Sequence, residues 1–364
     1  MTIFRAPGRV NLIGEHTDYN LGFVLPIALD LETQVDLQPP LNPGELRVNS
    51  AEYHETAVWL PEHLASEKPK HAWTDYVVGV AQQLIKLGFD IRPRQLSISS
   101  TVPEGAGLSS SAAIEVSTAL ALLNGRPIEP LELAKLCQRA EREFVGVPSG
   151  IMDQYISVFG RPGQAVLIDC RSLEHEYVEL PPRGMLEIWA VNSMVKHTLG
   201  SSAYRERVEQ CAMAVDAIAR RYPEVKSLRD ATLPQLESTP LPNVILRRAR
   251  HVITENARVQ LFVSAARKQN LPRMGELFYE SHLSMQHDYE ISCEEIDFLV
   301  QAAKSIEGVY GARMTGGGFG GCTVNLVRPE AVSHFQSTVT QVYKERFDIV
   351  PDFIPCIPSA GAMQ

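Results

Sequence analysis

The chain has 364 residues, of which 45% are hydrophobic and 21% are charged, a composition typical of folded globular proteins. This length is sufficient for two packed domains. The formal net charge of −9 argues against nucleic acid or an anionic membrane as the main partner. No apolar run approaches the length of a membrane span, so we expect no membrane insertion.

The N-terminus and the cysteines predict a cytoplasmic protein. Met1 leads directly into Thr2–Arg5 without the apolar segment of a signal peptide. The six cysteines are scattered and form no C-x-x-C pair, which favours reduced thiols over a disulfide framework or a zinc site. We expect a monomer or a weak oligomer.

The first cluster of polar residues follows a strand-like apolar segment, Val10 to Ile13. Glu15, His16 and Asp18 offer donors and acceptors at short spacing, which suits a ligand covered in hydroxyl groups. Arg9 adds a fixed positive charge upstream of them. A polar turn between strands is the alternative interpretation.

The next elements are predicted from periodicity. Residues 23–37 and 46–60 alternate with Val, Thr and Ile, which predicts strands of an antiparallel sheet. Residues 71–87 carry apolar side chains at helical spacing, which predicts a helix with one buried face. Trp73 lies near the start of this helix, and we predict that it packs in the core rather than covering the base of a nucleotide.

A glycine-rich loop, residues 103–111, connects a predicted strand at 96–99 to a predicted helix at 112–123. The first turn of a helix has unpaired N–H groups and partial positive charge. Gly105 and Gly107 allow an anion to approach the backbone closely. The loop is therefore interpreted as a phosphate cradle, with a serine-capped helix after a surface turn as the alternative.

The usual phosphate motifs do not account for this loop. It has no lysine, so it is not a Walker A loop, and Ser110 stands where a dinucleotide fingerprint needs its third glycine. In place of the lysine ammonium group of a Walker A loop, this loop has the hydroxyl groups of Ser109, Ser110 and Ser111.

A second turn follows the helix that we predict at residues 130–145. Ser149 is a plausible N-cap for the next helix, and Asp153 falls in its first turn. The helix dipole favours a carboxylate there, so a purely stabilising role is possible. The same environment keeps it ionised and able to accept a proton.

The rest of the chain changes in character at Pro181–Gly184, the best candidate for a linker between domains. Strands are predicted at 164–169, 174–180, 185–192, 322–327 and 353–357, and helices at 202–222, 243–270, 271–288, 293–305 and 329–347. Five glycines in residues 316–321 indicate either a tight hairpin or the close approach of a ligand or another backbone.

Three clusters, at residues 8–19, 103–113 and 313–322, resemble the three motifs of the GHMP small-molecule kinases. The first, GRVNLIGEHTDY, is similar to the signature of the galactokinase family, and residues 150–154 resemble its catalytic segment. The resemblance implies a two-lobed α+β fold with the active site in the cleft. The N-terminal lobe, residues 1–180, would hold a mixed sheet and helices, and residues 181–364 a helix-rich α+β lobe.

The resemblance also implies transfer of the ATP γ-phosphoryl group to the anomeric hydroxyl of α-D-galactose. Asp153 would be the catalytic carboxylate, with Arg9 beside it. Ser111 and Glu141 would hold Mg²⁺. The phosphates would lie on Gly105, Ala106, Gly107, Leu108, Ser109, Ser110 and Ser111, and the sugar on Glu15, His16, Thr17, Asp18, Gly150 and Tyr204.

Two other functions remain possible from the sequence. One is a related kinase for another sugar, such as N-acetylgalactosamine or galacturonate. The other is a non-enzymatic sensor that binds galactose and ATP. Family members of that second kind lack residues of the serine loop, whereas Ser111, Ala112 and Asp153 are present here.

Overall fold

The computed structural model describes residues 2–196 and 200–363. The strands are β1 Thr2–Asn11, β2 Phe23–Val24, β3 Pro26–Gln38, β4 Leu46–Ser50, β5 Glu55–Trp59, β6 Arg94–Ser100, β7 Gln164–Asp169, β8 His175–Glu179, β9 Glu187–Lys196, β10 Val309–Thr315, β11 Gly320–Val327 and β12 Asp352–Pro355. The α-helices are α1 Thr74–Lys86, α2 Ser110–Leu123, α3 Pro130–Arg139, α4 Met152–Phe159, α5 Gly200–Ala219, α6 Leu233–Glu237, α7 Asn243–Arg267, α8 Leu271–Ser284, α9 Glu294–Lys304 and α10 Val332–Phe347. In this part of the chain, each helix is too short or too polar to span a bilayer.

The first sheet has the strand order β1-β3-β6-β4-β5. The periodicity of its strands predicted antiparallel pairing, but β4 and β6 are parallel, so the sheet is mixed. The direction follows from the chain path: β5 runs antiparallel to β4, and after α1 the chain reverses again, so β6 runs antiparallel to β5 and parallel to β4. Helices α1 and α2 cover this sheet and bury Val48, Val80 and Val116 in one core.

Two further sheets have the orders β2-β7-β8 and β10-β11-β9-β12. Every strand of a given sheet lies on the same side of the predicted boundary between residues 180 and 181. One core cluster nevertheless contains Leu25, Phe262 and Val324, so side chains from both halves pack together. The boundary itself stays a prediction.

Two helices end differently from their predicted form. The helix expected at 130–145 is α-helical only to Arg139, and Ala140–Val145 forms a π-helical turn. A second π-helical turn, Met285–Tyr289, follows α8. Such turns are rare and are frequent at functional sites.

The predicted N-cap of α4 is wrong. The helix begins at Met152 after Ile151, and no side chain caps it. Ser149 lies too far upstream, and its hydroxyl donates to Glu141 Oε2 instead, at 2.5 Å.

Candidate active site

A cleft of about 960 Å³ lies between the two halves of the chain. The loop at residues 103–111, from the first half, forms one wall. The hairpin between β10 and β11, from the second half, contributes residues 317–321. Arg9, Asp153 and Tyr204 also line the cleft.

An arginine and a carboxylate, 144 residues apart in sequence, form the centre of this cleft. Arg9 Nε donates to Asp153 Oδ1 at 2.9 Å, and Nη2 donates to Oδ2 at 2.8 Å. The hydroxyl of Ser109 also donates to Asp153 Oδ2. This bidentate arrangement fixes the plane of the carboxylate.

The glycine-rich loop leads from β6 to α2 and presents its backbone to the cleft. Gly105 and Gly107 have φ values of 73° and 76°, and Ser109, the N-cap of α2, is also left-handed at 59°. Arg9 Nη1 donates to Gly107 O at 2.5 Å, which ties the loop to the arginine. The helix start, the glycines and the hydroxyls together form an anion-binding environment.

The glycine run at residues 316–321 supports this loop from behind. A Cβ atom on Gly316 would lie 3.0 Å from Gly107 O, and one on Gly321 would lie 3.2 Å from Ala106 O. Backbone packing explains Gly316 and Gly321: two glycine-rich segments are in contact, and side chains at these positions would separate them.

Ser111 and Glu141 lie together, as a shared metal site requires. Ser111 lines the cleft, and its side chain interacts with the carboxylate of Glu141, which stands on the π-helical turn. Burial raises the pKa of Glu141, which is only 6% exposed. A hydroxyl and a carboxylate are hard oxygen donors, and Mg²⁺ commonly takes one or two protein ligands beside substrate phosphates. The donor set therefore fits that ion.

Asp18 and Gly150 are in close contact. A Cβ atom on Gly150 would lie 1.8 Å from Asp18 Oδ2, so glycine is required to admit the carboxylate. Burial, followed by the charge of Asp153, raises the pKa of Asp18 to about 6. Asp18 therefore belongs to the same electrostatic cluster as the central pair.

His16 is buried among aromatic rings, and its backbone is left-handed with φ of 60°. Its Nε2 lies 3.2 Å from Gly317 O and its Nδ1 lies 2.7 Å from the hydroxyl of Tyr19. Burial lowers the pKa of His16 to about 3, so the ring is neutral. The Tyr204 ring, 4.9 Å away, lies between His16 and the cleft.

Glu15 and Thr17 have polar atoms that are already bound within the protein. Arg313 forms an ion pair with Glu15 Oε2, and Gly316 N donates to Oε1 at 3.1 Å. The Thr17 hydroxyl lies 2.8 Å from Gly14 O and 2.6 Å from Phe23 O, and its single hydrogen is shared between these two acceptors. Both side chains are buried, and direct sugar contact by either of them stays a prediction.

Sequence reasoning missed Tyr53 as a residue of the cleft and assigned its neighbour Trp73 to the core. Tyr53 and Trp73 stack with ring centroids 5.8 Å apart, and Trp73 donates to Glu55 at 2.8 Å. Both rings line the cleft together with Tyr76 and Glu104. Trp73 was predicted to pack in the core; it packs partly against the core and also faces this cavity.

The chain matches three family models: the galactokinase galactose-binding signature at residues 2–39, the GHMP kinase N-terminal domain at 75–161 and the GHMP kinase C-terminal domain at 262–345. It is 43% identical to a galactokinase of Roseiflexus sp. (strain RS-1) over 99% of this chain and 92% of that one. The chain belongs to the galactokinase family. It is 41% identical to a second member, from Thermotoga neapolitana, over 99% of both chains.

Solved structures agree with this membership. The fold matches that of Lactococcus lactis galactokinase complexed with galactose at a TM-score of 0.92, with 32% identity over 99% of this chain and 94% of that one. A mevalonate kinase matches at a TM-score of 0.71 and 18% identity, which is a similarity of fold alone. The predicted α+β GHMP kinase fold, with its mixed sheet and helices, is thus confirmed.

Proposed function

We propose that this member of the galactokinase family phosphorylates galactose at its anomeric hydroxyl with ATP, giving α-D-galactose 1-phosphate and ADP. The observation that carries the proposal is the Arg9–Asp153 pair at the end of a lysine-free phosphate loop. Phosphoryl transfer needs a positioned acceptor hydroxyl and donors for the charge on the phosphoryl oxygens, and this pair supplies both.

Asp153 orients the anomeric hydroxyl and accepts its proton as the oxygen bonds to the γ-phosphorus and the bond from that phosphorus to the ADP oxygen breaks. Oδ2 already accepts from both Arg9 and Ser109, whereas Oδ1 accepts only from Arg9. Each carboxylate oxygen has about two acceptor sites, so Oδ1 is the atom with room for the sugar hydroxyl. Arg9 holds the carboxylate in place and stabilises negative charge on the transferring group.

The phosphates are held by the backbone and hydroxyls of residues 105–111, at the positive end of the α2 dipole. Ser111 and Glu141 would hold Mg²⁺, which when bound would neutralise phosphate charge. Tyr53 and Trp73 offer flat apolar surface for the base at the far end of the cleft.

The sugar would lie against Asp18, Gly150 and Tyr204, next to the central carboxylate. His16 is neutral and serves as a hydrogen-bonding group rather than a charge. Selectivity arises because a buried carboxylate left without its sugar hydroxyl is costly, so an analogue that lacks the matching group binds poorly. Direct contacts from Glu15 and Thr17 remain predictions.

A cytoplasmic location is proposed on the state of the cysteines. All six are unpaired, and five of them are buried. Thiols of this kind are typical of a reducing compartment. A monomer or a weak oligomer stays a prediction.

The experiment is a panel of sugars with Mg-ATP, in which ADP release is recorded and the sugar 1-phosphate is identified by phosphorus NMR. Galactose is expected to be phosphorylated, whereas N-acetylgalactosamine and galacturonate are expected to react slowly or not at all. A clear preference for either of those two would replace galactose as the substrate. ADP formation with no sugar would contradict the kinase assignment.

A further inference from the structure

Three acidic or amide side chains form a buried polar chain beneath the cleft, between α2 and α4. Glu115 and Gln154 are fully buried, and Glu141 is 6% exposed. Gln154 Nε2 donates to Glu115 Oε2 at 2.9 Å and to Glu141 Oε2 at 3.0 Å. A side-chain amide has two N–H groups, so both are used and the amide bridges the two carboxyl groups.

Two acceptor atoms next to this bridge lack a hydrogen-bond donor. Within the part of the chain that the structure describes, Gln154 Oε1 and Glu115 Oε1 are buried and accept no hydrogen bond. Both atoms are acceptors on side chains that already contact each other. A hydrogen carried by Glu115 is the donor that this pair lacks, so the group fits as a neutral acid beside an amide.

This arrangement costs stability if it only fills space. A buried polar atom without a hydrogen-bond partner destabilises the fold, and apolar side chains of similar volume would avoid that loss. Gln154 directly follows Asp153 in α4, and its amide reaches the carboxylate that, with Ser111, fits Mg²⁺. The bridge therefore connects the helix of the catalytic carboxylate to Glu141.

We propose that Gln154, held in orientation by Glu115, is a positioning residue for the carboxylate of Glu141. The inference rests on the proposed function, in which Glu141 holds the metal ion. Gln154 and Ser149 both donate to Glu141 Oε2, so these two bonds leave Oε1 available to a ligand. Without Gln154, the carboxylate keeps one of these donors and can rotate away from Ser111.

The test uses the full chain with Mn²⁺ and ADP as probes, and electron paramagnetic resonance measures the Mn²⁺ that is bound. The Gln154→Met substitution keeps the volume and removes both hydrogen bonds. Losing the partner of a metal ligand commonly costs 10–100-fold in metal affinity, so we expect Mn²⁺ affinity to fall about 10–100-fold. Galactose affinity, measured by calorimetry without metal, should stay within about twofold, since Gln154 does not line the cleft.

Two further substitutions separate positioning from packing. Glu115→Gln supplies both an acceptor and a donor toward Gln154, so Mn²⁺ affinity should stay close to that of the unchanged protein. Glu115→Met removes both and should reproduce the effect of Gln154→Met. Ser157→Ala is the matched control: it removes a buried hydrogen bond to Pro7 O one turn along α4, with no connection to Glu141.

Unchanged Mn²⁺ affinity in folded Gln154→Met would overturn the inference. An equal loss in Ser157→Ala would do the same, because it would assign the effect to general softening of α4. If Gln154→Met does not fold, the comparison of Glu115→Gln with Glu115→Met decides the question by the same readout. The sugar panel on the unchanged protein tests the proposed function separately, so the two failures are distinguishable.

Discussion

Replacing Asp153 by asparagine tests the centre of the proposed mechanism with little change in shape. The aspartate accepts two hydrogen bonds from Arg9 and one from Ser109. An asparagine has one acceptor oxygen, so its NH2 group must face a donor of Arg9 whichever way the amide is oriented. The substitution therefore removes a charge-assisted bond and the proton acceptor together.

The expected magnitude follows from those two losses. A positioned proton acceptor contributes about 10²–10⁴-fold to a rate, and each tenfold corresponds to about 1.36 kcal/mol of barrier. We therefore expect kcat to fall about 10²–10⁴-fold, an increase of roughly 2.7–5.4 kcal/mol in the barrier. Galactose keeps its other contacts, so its Kd should rise by no more than about fivefold, close to 1 kcal/mol.

The assay combines calorimetric titration of galactose with a steady-state measurement of ADP release. Ser109→Ala is the matched control, because it removes one neutral donor from the same carboxylate and leaves the acceptor in place. Its kcat should fall by no more than about 10–150-fold, since a hydrogen bond to a charged group contributes roughly 1.5–3 kcal/mol. Near-normal kcat in Asp153→Asn would refute the role of Asp153, and loss of galactose binding would reassign it to substrate recognition.

Two further predictions concern the sugar side of the cleft. Asp18 has a pKa of about 6, and its ionised form is the better acceptor for a sugar hydroxyl. Galactose affinity should therefore weaken as pH falls through about 6, and calorimetry should find this dependence absent in Asp18→Asn; if it persists, another group is responsible. His16, with a pKa of about 3, stays neutral over this range and does not contribute. Gly150→Ala would push the Asp18 carboxylate aside, and overpacking of about 1–3 kcal/mol corresponds to a rise of roughly 5–150-fold in KM for galactose. KM for ATP should change much less. The control is Gly184→Ala, because a Cβ atom there would meet no atom within 4 Å. Equal increases in KM for galactose and KM for ATP in Gly150→Ala would contradict the local explanation.

The phosphate side of the site was predictable from sequence because its signals are local. Alternation of apolar residues placed a strand at 96–99, and β6 spans Arg94–Ser100. The run of small apolar residues placed a helix at 112–123, and α2 spans Ser110–Leu123. The composition of the turn between them indicates its function, because glycines and serines before a helix N-terminus suit an anion-binding site.

Long-range pairings gave no comparable signal. Arg313 is fully buried and pairs with Glu15, 298 residues earlier. Glu15 stands in a polar segment that reads as ligand-facing, and nothing in the sequence around Arg313 indicates this partner. The π-helical turn that carries Glu141 was also missed, because helical periodicity continues through it. In both cases the conformation and the pairing are set by tertiary contacts, which local propensity does not reveal.

The balance of charge explains why the cleft is built largely from backbone. Among the described residues that line it, Arg9 is the one basic side chain, whereas Glu52, Glu104 and Asp153 are acidic. The protein as a whole carries a net charge of −9, so its overall field repels a nucleotide. Attraction must then come from fixed dipoles at short range, and these act only if the loop amides stay in place. The contact of Gly316 and Gly321 with the phosphate loop meets that requirement, since the second half of the chain holds the loop against Arg9.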